Sequence, residues 1–105
     1  MISIIIRTKN EEKWIVRTLR QLKKQTYSHF EIILVDNNST DKTVERAIKE
    51  YPQLKLITIN DFLPGLAINI GIEEAKGDFI SILSAHCIPV NKNWLEKLHS
   101  NFSNK

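Results

Sequence analysis

The sequence predicts an α/β protein: a Rossmann-like three-layer sandwich in which a mainly parallel sheet carries helices on both faces. Three observations carry that expectation. Four short apolar runs, two of them nearly continuous Ile and Val, alternate with segments whose apolar residues recur at helical spacing. No repeat, low-complexity tract or Pro/Gly/Ser-rich linker interrupts the alternation. The 105 residues suit one compact domain with one core.

Each element follows in order. "ISIIIRT" (2–8) and "FEIILVD" (30–36) read as strands buried on both faces, and "LKLITI" (54–59) and "DFISIL" (78–83) as the weaker third and fourth strands. Between the first two, Ile15, Leu19 and Leu22 mark a helix, with Asn10 placed to cap it. Val44, Ala47, Ile48 and Tyr51 mark a second, capped by Ser39 or Thr40 and stopped by Pro52. A third helix is expected from Pro64 to Ala75, before the turn "KGD". A last one is expected from Asn93 to Phe102, with Trp94, Leu95, Leu98 and Phe102 along one side. The alternation implies right-handed crossovers between parallel strands.

Composition narrows the class. Hydrophobic content of 42% and charged content of 26% are those of a water-soluble globular chain. A net charge of +3, evenly spread, is too small for a nucleic-acid footprint. Cys87 is the single cysteine, so no internal disulfide can form, which suits a reducing compartment. The opening "MISIII" meets Arg7 and Lys9 too soon for a signal segment or a membrane span. A cytoplasmic protein is the expectation.

In open parallel sheets, ligands bind beyond the carboxyl ends of the strands. Four polar clusters fall there: Thr8 to Glu11, Asp36 to Thr40, Asn60 with Asp61, and Ser84 to His86. Each alone is explained by loop solvation; four on one rim point to a polar ligand without naming it. The turn after the first strand has no glycine, and no loop ends in Gly-Lys-Ser/Thr, so dinucleotide and phosphate-loop fingerprints are absent. "RTKN" also offers no acidic cluster of the receiver kind.

"IIIRTKNEE", "LRQLKKQTYSHFEIILVDNNSTDKT" and "GIEEAKGDFISIL" together resemble the start of family 2 glycosyltransferases, in the nucleotide-binding half of the GT-A fold. The family pattern reads Pro-Thr-Tyr-Asn-Glu, then Gln-Thr-Tyr-x-x-x-Glu-Ile-Ile-Val-Val-Asp-Asp-x-Ser-Thr-Asp, then Asn-x-Gly-Ile-x-x-Ala-x-Gly and a strand ending in Asp-x-Asp. The matches run in order over residues 2 to 88. The resemblance implies a donor-binding half that holds a nucleoside-diphosphate sugar, with a UDP-sugar favoured, for transfer to a glycan or lipid-linked acceptor in cell-surface glycan synthesis. It implies that Thr8, Lys9 and Asn10 line the base and ribose pocket, with Asp36 accepting from the base. An ionised carboxylate accepts without donating, so it selects uracil N3–H over cytosine; such a bond contributes about 1.5–3 kcal/mol. Turn formation is the alternative use of Asp36. Ser39, Thr40 and Asp41 are expected to cap the second helix, and Gly71 to allow close helix–sheet packing. Asn69 is open to either a ligand or a packing role.

Several positions depart from the pattern: Arg7 stands for Pro, Lys9 for Tyr and Ile68 for Arg. Ser84 and His86 occupy the two Asp-x-Asp positions, whose carboxylates hold manganese or magnesium against the donor diphosphate in such enzymes. A lone imidazole suits manganese better than magnesium. His86 is thus open to three uses: sole protein ligand to a metal, direct stabiliser of the leaving diphosphate, or hydrogen-bonded turn residue with donor binding lost. His29 and His99 read as surface residues, Cys87 as a small buried side chain and "WLEKL" as core packing. Enzymes of this kind need a further half, with the acceptor pocket and the catalytic base. A chain of 1–105 is therefore expected to lack transfer on its own and to self-associate through an uncovered sheet edge. The full protein is expected at the inner membrane face. A non-catalytic α/β binding module is the rival expectation.

Overall fold

The computed structural model describes residues 1–60, 64–85 and 93–96. The elements run β1 (Ile2–Thr8), α1 (Ile15–Lys23), β2 (Phe30–Asp36), α2 (Thr43–Glu50), β3 (Lys55–Thr58), α3 (Pro64–Glu74) and β4 (Phe79–Ser84). They form one sheet in the order β3-β2-β1-β4, with every pair parallel. Trp94 to Glu96 begin a helical turn, and the rest of the expected fourth helix lies outside the described residues.

Strand alternation divides the core into two layers. Ile2, Ile4, Ile6, Ile32 and Leu34 face one side, where Ile15, Leu19 and Leu22 of α1 and Ala47 of α2 close over them. Ile5, Ile33 and Val35 face the other side, against Ala67 of α3. This is why the first two strands carry no polar alternation: each has a helix on both sides. Burial of each Ile contributes about 1.5–3 kcal/mol, so the sheet–helix contact is a main source of stability. Ser3 interrupts the run of isoleucines in β1, and its hydroxyl donates to Glu31 Oε2 at 2.6 Å.

Gly71 lets α3 approach the sheet. A Cβ there would lie 2.7 Å from Ile5 Cγ2, closer than real carbon contacts. The expected packing role of this glycine is what the structure shows.

Some boundaries differ from the sequence reading, each for a local reason. β3 is shorter than the run 54–59 because it is an edge strand that pairs only with Ile33 to Asp36 of β2. β4 starts at Phe79, one residue late, because the Asp78 amide turns to Met1 O at 3.0 Å, and it runs on to Ser84 beside Arg7. Asn10 does not cap α1; that helix starts after a turn in which the Trp14 and Ile15 amides donate to Glu11 O. Neither Ser39 nor Thr40 caps α2 through a side chain. Asp41 does the nearest equivalent, accepting the Thr43 amide at 3.0 Å.

The order β3-β2-β1-β4 means that the chain adds strands on one side of β1 and then returns to the other. The crevice between the carboxyl ends of β1 and β4 is therefore the topological switch point. At the opposite edge, Glu31 Oε2 also accepts the Lys76 amide at 2.7 Å, and Gly77 donates to Ser3 Oγ at 2.8 Å. Burial pushes the Glu31 carboxyl up, but the Ser3 hydroxyl, the Lys76 and Gly77 amides and the Lys76 charge outweigh it, so it sits below the usual carboxylate range.

Two outcomes follow. Gly71→Ala should cost about 1–3 kcal/mol through overpacking against Ile5, lowering the thermal midpoint by several degrees; an unchanged midpoint would show that Ile5 yields freely. For Glu31, a lowered folded pKa means stability present above the unfolded value and lost as pH falls through the folded one. The stability gap between the parent and Glu31→Gln should therefore be constant near neutrality and shrink as pH falls below about 4.5. Urea titrations across pH 3–7 read this, and a gap independent of pH contradicts it.

Candidate functional site

The carboxyl ends of β1 and β2 are joined in register, Thr8 opposite Asp36. Both are buried, with Asp36 only 1% exposed. The Thr8 hydroxyl donates to Asp36 Oδ1 at 2.6 Å. Three residues on, the Ser39 amide donates to Asp36 Oδ2 at 2.8 Å and the Ser39 hydroxyl to Oδ1 at 2.6 Å. An ionised carboxylate offers about four acceptor positions. Among the described residues three are filled, and the fourth is on Oδ2. Asp36 thus performs the turn-forming role and keeps one acceptor position.

Asn10 ties the loop after β1 to the loop after β2. Its amide donates to Ser39 Oγ at 2.9 Å, and its Oδ1 accepts the Thr40 amide at 2.8 Å and the Asp41 amide at 3.3 Å. Asn10 has φ 53° and Asn38 φ 48°, left-handed values that asparagine tolerates better than most residues. Lys9 Nζ reaches Asn38 O at 3.2 Å. The Glu11 amide donates to Thr43 Oγ1 at 2.7 Å, and Thr43 Oγ1 to Asp41. Burial raises the Asp41 pKa, but the Thr43 hydroxyl and the Thr43 and Glu12 amides more than offset it and hold the carboxyl low.

Beyond β4, Ala85 is buried, and its carbonyl accepts the Thr18 hydroxyl of α1. That bond fixes the start of the Ser-Ala-His stretch against the same helix that covers β1. Ser84 stands in register with Arg7.

Of the residues singled out in the sequence, Thr8, Lys9, Asn10 and Asp36 thus gather at one place, with Ser84 at the neighbouring strand end. Asn69 does not join them: it is exposed on α3, two residues from the sheet-facing Ala67 and Gly71, so it points away from the sheet. His86 lies outside the described residues. Ser39 was read as a helix cap, yet its main partner is Asp36; the three-residue spacing is the signal for that turn. Thr18 gave no sequence signal, because its partner is 67 positions away.

Among the described residues, the donor set at the β4 end does not fit a magnesium site. Ser84 brings a neutral hydroxyl, whereas hard divalent cations are held by carboxylate oxygens.

An open parallel sheet with helices on both faces and a hydrogen-bonded polar rim at the carboxyl ends of β1 and β2, beside the switch point, defines a Rossmann-like α/β domain. The chain belongs to glycosyl transferase family 2, whose profile matches residues 3–105. It is 41% identical over 96 residues to a Methanococcus voltae protein named dolichyl N-acetyl-alpha-D-glucosaminyl phosphate 3-beta-D-2,3-diacetamido-2,3-dideoxy-beta-D-glucuronosyltransferase, covering 84% of this chain and 30% of that protein. The crystal structure of S. aureus TarS superposes with a TM-score of 0.88 at 28% identity, over 98% of this chain and 19% of that one. The complex of TarS 1–349 with UDP-GlcNAc gives 0.86 at 29% identity, over 98% and 31%. The Pyrobaculum calidifontis mannosyltransferase PcManGT, in complex with GDP-Man and Mn2+, gives 0.77 at 26% identity, over 87% and 29%. The chain thus spans about a third or less of the length of these proteins.

Thr8→Val keeps the β-branched shape and removes one donor from a buried carboxylate. It should cost about 1–3 kcal/mol, measured by urea unfolding. A neutral effect would mean that Ser39 alone satisfies Oδ1.

Proposed function

We propose that this chain binds the nucleoside-diphosphate sugar donor of a glycosyltransferase, with a uridine diphosphate sugar favoured, for transfer to a glycan or lipid-linked acceptor. The observation that carries the reading is the Asp36 carboxylate, held by Thr8 and Ser39 with one acceptor position left on Oδ2. That position suits a base presenting a ring N–H, as uracil and guanine do and cytosine does not. The TarS complex with UDP-GlcNAc and the PcManGT complex with GDP-Man support a donor of this class. Thr8, Lys9 and Asn10 are the proposed wall of the base and ribose pocket, and Ser84 and His86 the diphosphate end.

With no carboxylate at positions 84 and 86, the reading assigns His86 to the leaving diphosphate directly, as a donor or cation, without a carboxylate-held metal. Were manganese to enter, His86 is the residue that would hold it. No residue described here is assigned as the base that deprotonates the acceptor, so the reading is of donor binding without transfer by these residues alone. Ile80 and Ile82 are 38% and 43% exposed on edge strand β4 and form the proposed surface for self-association or for a further domain. Among the described residues no helix is long and apolar enough to cross a membrane; any place at the inner membrane face rests on a lipid-linked acceptor. The second reading, a binding module without catalysis, is favoured by one observation, the Ser-Ala-His in place of Asp-x-Asp.

Calorimetric titration of UDP, CDP and GDP, with and without manganese, separates these readings. UDP should bind without manganese and more tightly than CDP, and His86→Ala should weaken UDP about tenfold or more. Asp36→Asn should narrow the UDP-to-CDP ratio, because an amide can donate to cytosine N3. UDP binding that requires both manganese and His86 would make the imidazole a metal ligand instead. No heat with any of the three nucleotides, from a chain that melts cooperatively, would leave the non-catalytic module standing.

A further inference from the structure

Arg7 Nε is buried and, among the described residues, has no hydrogen-bond partner. Buried guanidinium nitrogens are ordinarily paired, since leaving one unpaired forgoes a charge-assisted bond after its water has been lost. Arg7 is the last but one residue of β1, and strand alternation puts its side chain on the side of Ile5, facing α3. Its lateral neighbours in register are Val35 on β2 and Ser84 on β4. Neither carries a charge that could neutralise it. Adjacent strands lie about 4.8 Å apart, so Arg7 and Ser84 stand side by side at the ends of β1 and β4, on the α3 side of the sheet.

We infer that Arg7 is a specificity-determining residue for the donor's diphosphate: the unfilled Nε and the charge behind it are kept for phosphate oxygens held at the β1–β4 crevice. The inference rests on the donor-binding reading above. An anion there completes the Arg7 Nε left unpaired among the described residues, and the planar guanidinium fork matches two phosphate oxygens at once. The residue also stands where the family pattern has a proline, while the family's arginine, at position 68, is Ile68 here. The cation is present in this chain, but it comes from the strand instead of the helix. Lysine would not replace it, because it lacks both the fork and the Nε donor.

The experiment compares uridine, UMP and UDP binding by the unaltered chain, Arg7→Met and Arg7→Lys, in manganese-containing buffer, with the thermal midpoint of each variant. Methionine matches the apolar stem of arginine and leaves no buried donor. Arg7→Met should hold or raise the midpoint and leave uridine affinity within about twofold. It should weaken UDP roughly 10- to 100-fold, so that the advantage of UDP over uridine collapses. Arg7→Lys should fall between. Equal weakening of all three ligands, with a lowered midpoint, would assign Arg7 to structure and overturn the inference. So would an unchanged UDP-to-uridine ratio in Arg7→Met while the unaltered chain binds UDP well. If the unaltered chain binds none of the three, the donor-binding reading fails and the assignment falls with it.

Discussion

The carboxylate of Asp36 is the group on which the rim of this protein depends. It sits at the end of a strand with almost no exposure, and a buried charge of that kind is tolerable only when its lone pairs are filled. Thr8 fills one from the adjacent strand, and Ser39 fills two from the turn that follows. Ser39 is in turn held by the Asn10 amide, and Asn10 Oδ1 collects the amides of Thr40 and Asp41. One charge therefore fixes the end of β1, the end of β2 and the two loops beyond them. The parallel register of β1 and β2 is what brings Thr8 opposite Asp36, so the hydrophobic core and the polar rim are not independent. A one-residue slip would move each strand side chain to the opposite core layer and also part the threonine from the carboxylate.

This coupling explains what was legible in the sequence. Alternating apolar runs report burial, and burial is decided by short-range pattern; hence the strands, the three described helices and the two-sided core could be read directly. The Gly71 contact was legible for the same reason, because a glycine inside a helical pattern has to be explained by an approach. Helix starts were not. Asn10 looks like a cap for α1 by proximity, but an acceptor goes where amides are most concentrated, and the loop after β2 presents two of them. Thr18 and Ala85, or Glu31 and Lys76, meet only because the sheet order places β4 beside β1. No local pattern encodes such a pairing.

The two ends of the candidate site differ in how they are built. At the β1–β2 end, nearly every polar group is satisfied within the protein, which leaves a rigid, pre-shaped edge with a single open acceptor. Such preorganisation lowers the ordering cost of binding. At the β4 end, the strand terminus is tethered through Thr18 to α1, and the neighbouring Arg7 Nε has no partner among the described residues. On the proposed reading, an end that selects a neutral base by one hydrogen bond gains from being closed, and an end that meets a diphosphate gains from a donor left open.

The departures from the family pattern at this second end are also consistent with one another as electrostatics. In the pattern, two carboxylates and a divalent cation roughly cancel, and an arginine on the third helix leaves one positive charge to face the diphosphate. Here both carboxylates are absent and that arginine is Ile68, while a new arginine stands at position 7 and an imidazole at position 86. Losing the carboxylates alone would strip the site of its metal. Losing the arginine alone would leave it short of charge. On the proposed donor-binding reading, the replacements taken together, with Arg7 supplied from the strand, exchange one set of charged groups for another around the diphosphate. On that reading they are a rebalancing of charge, each change making sense only beside the others.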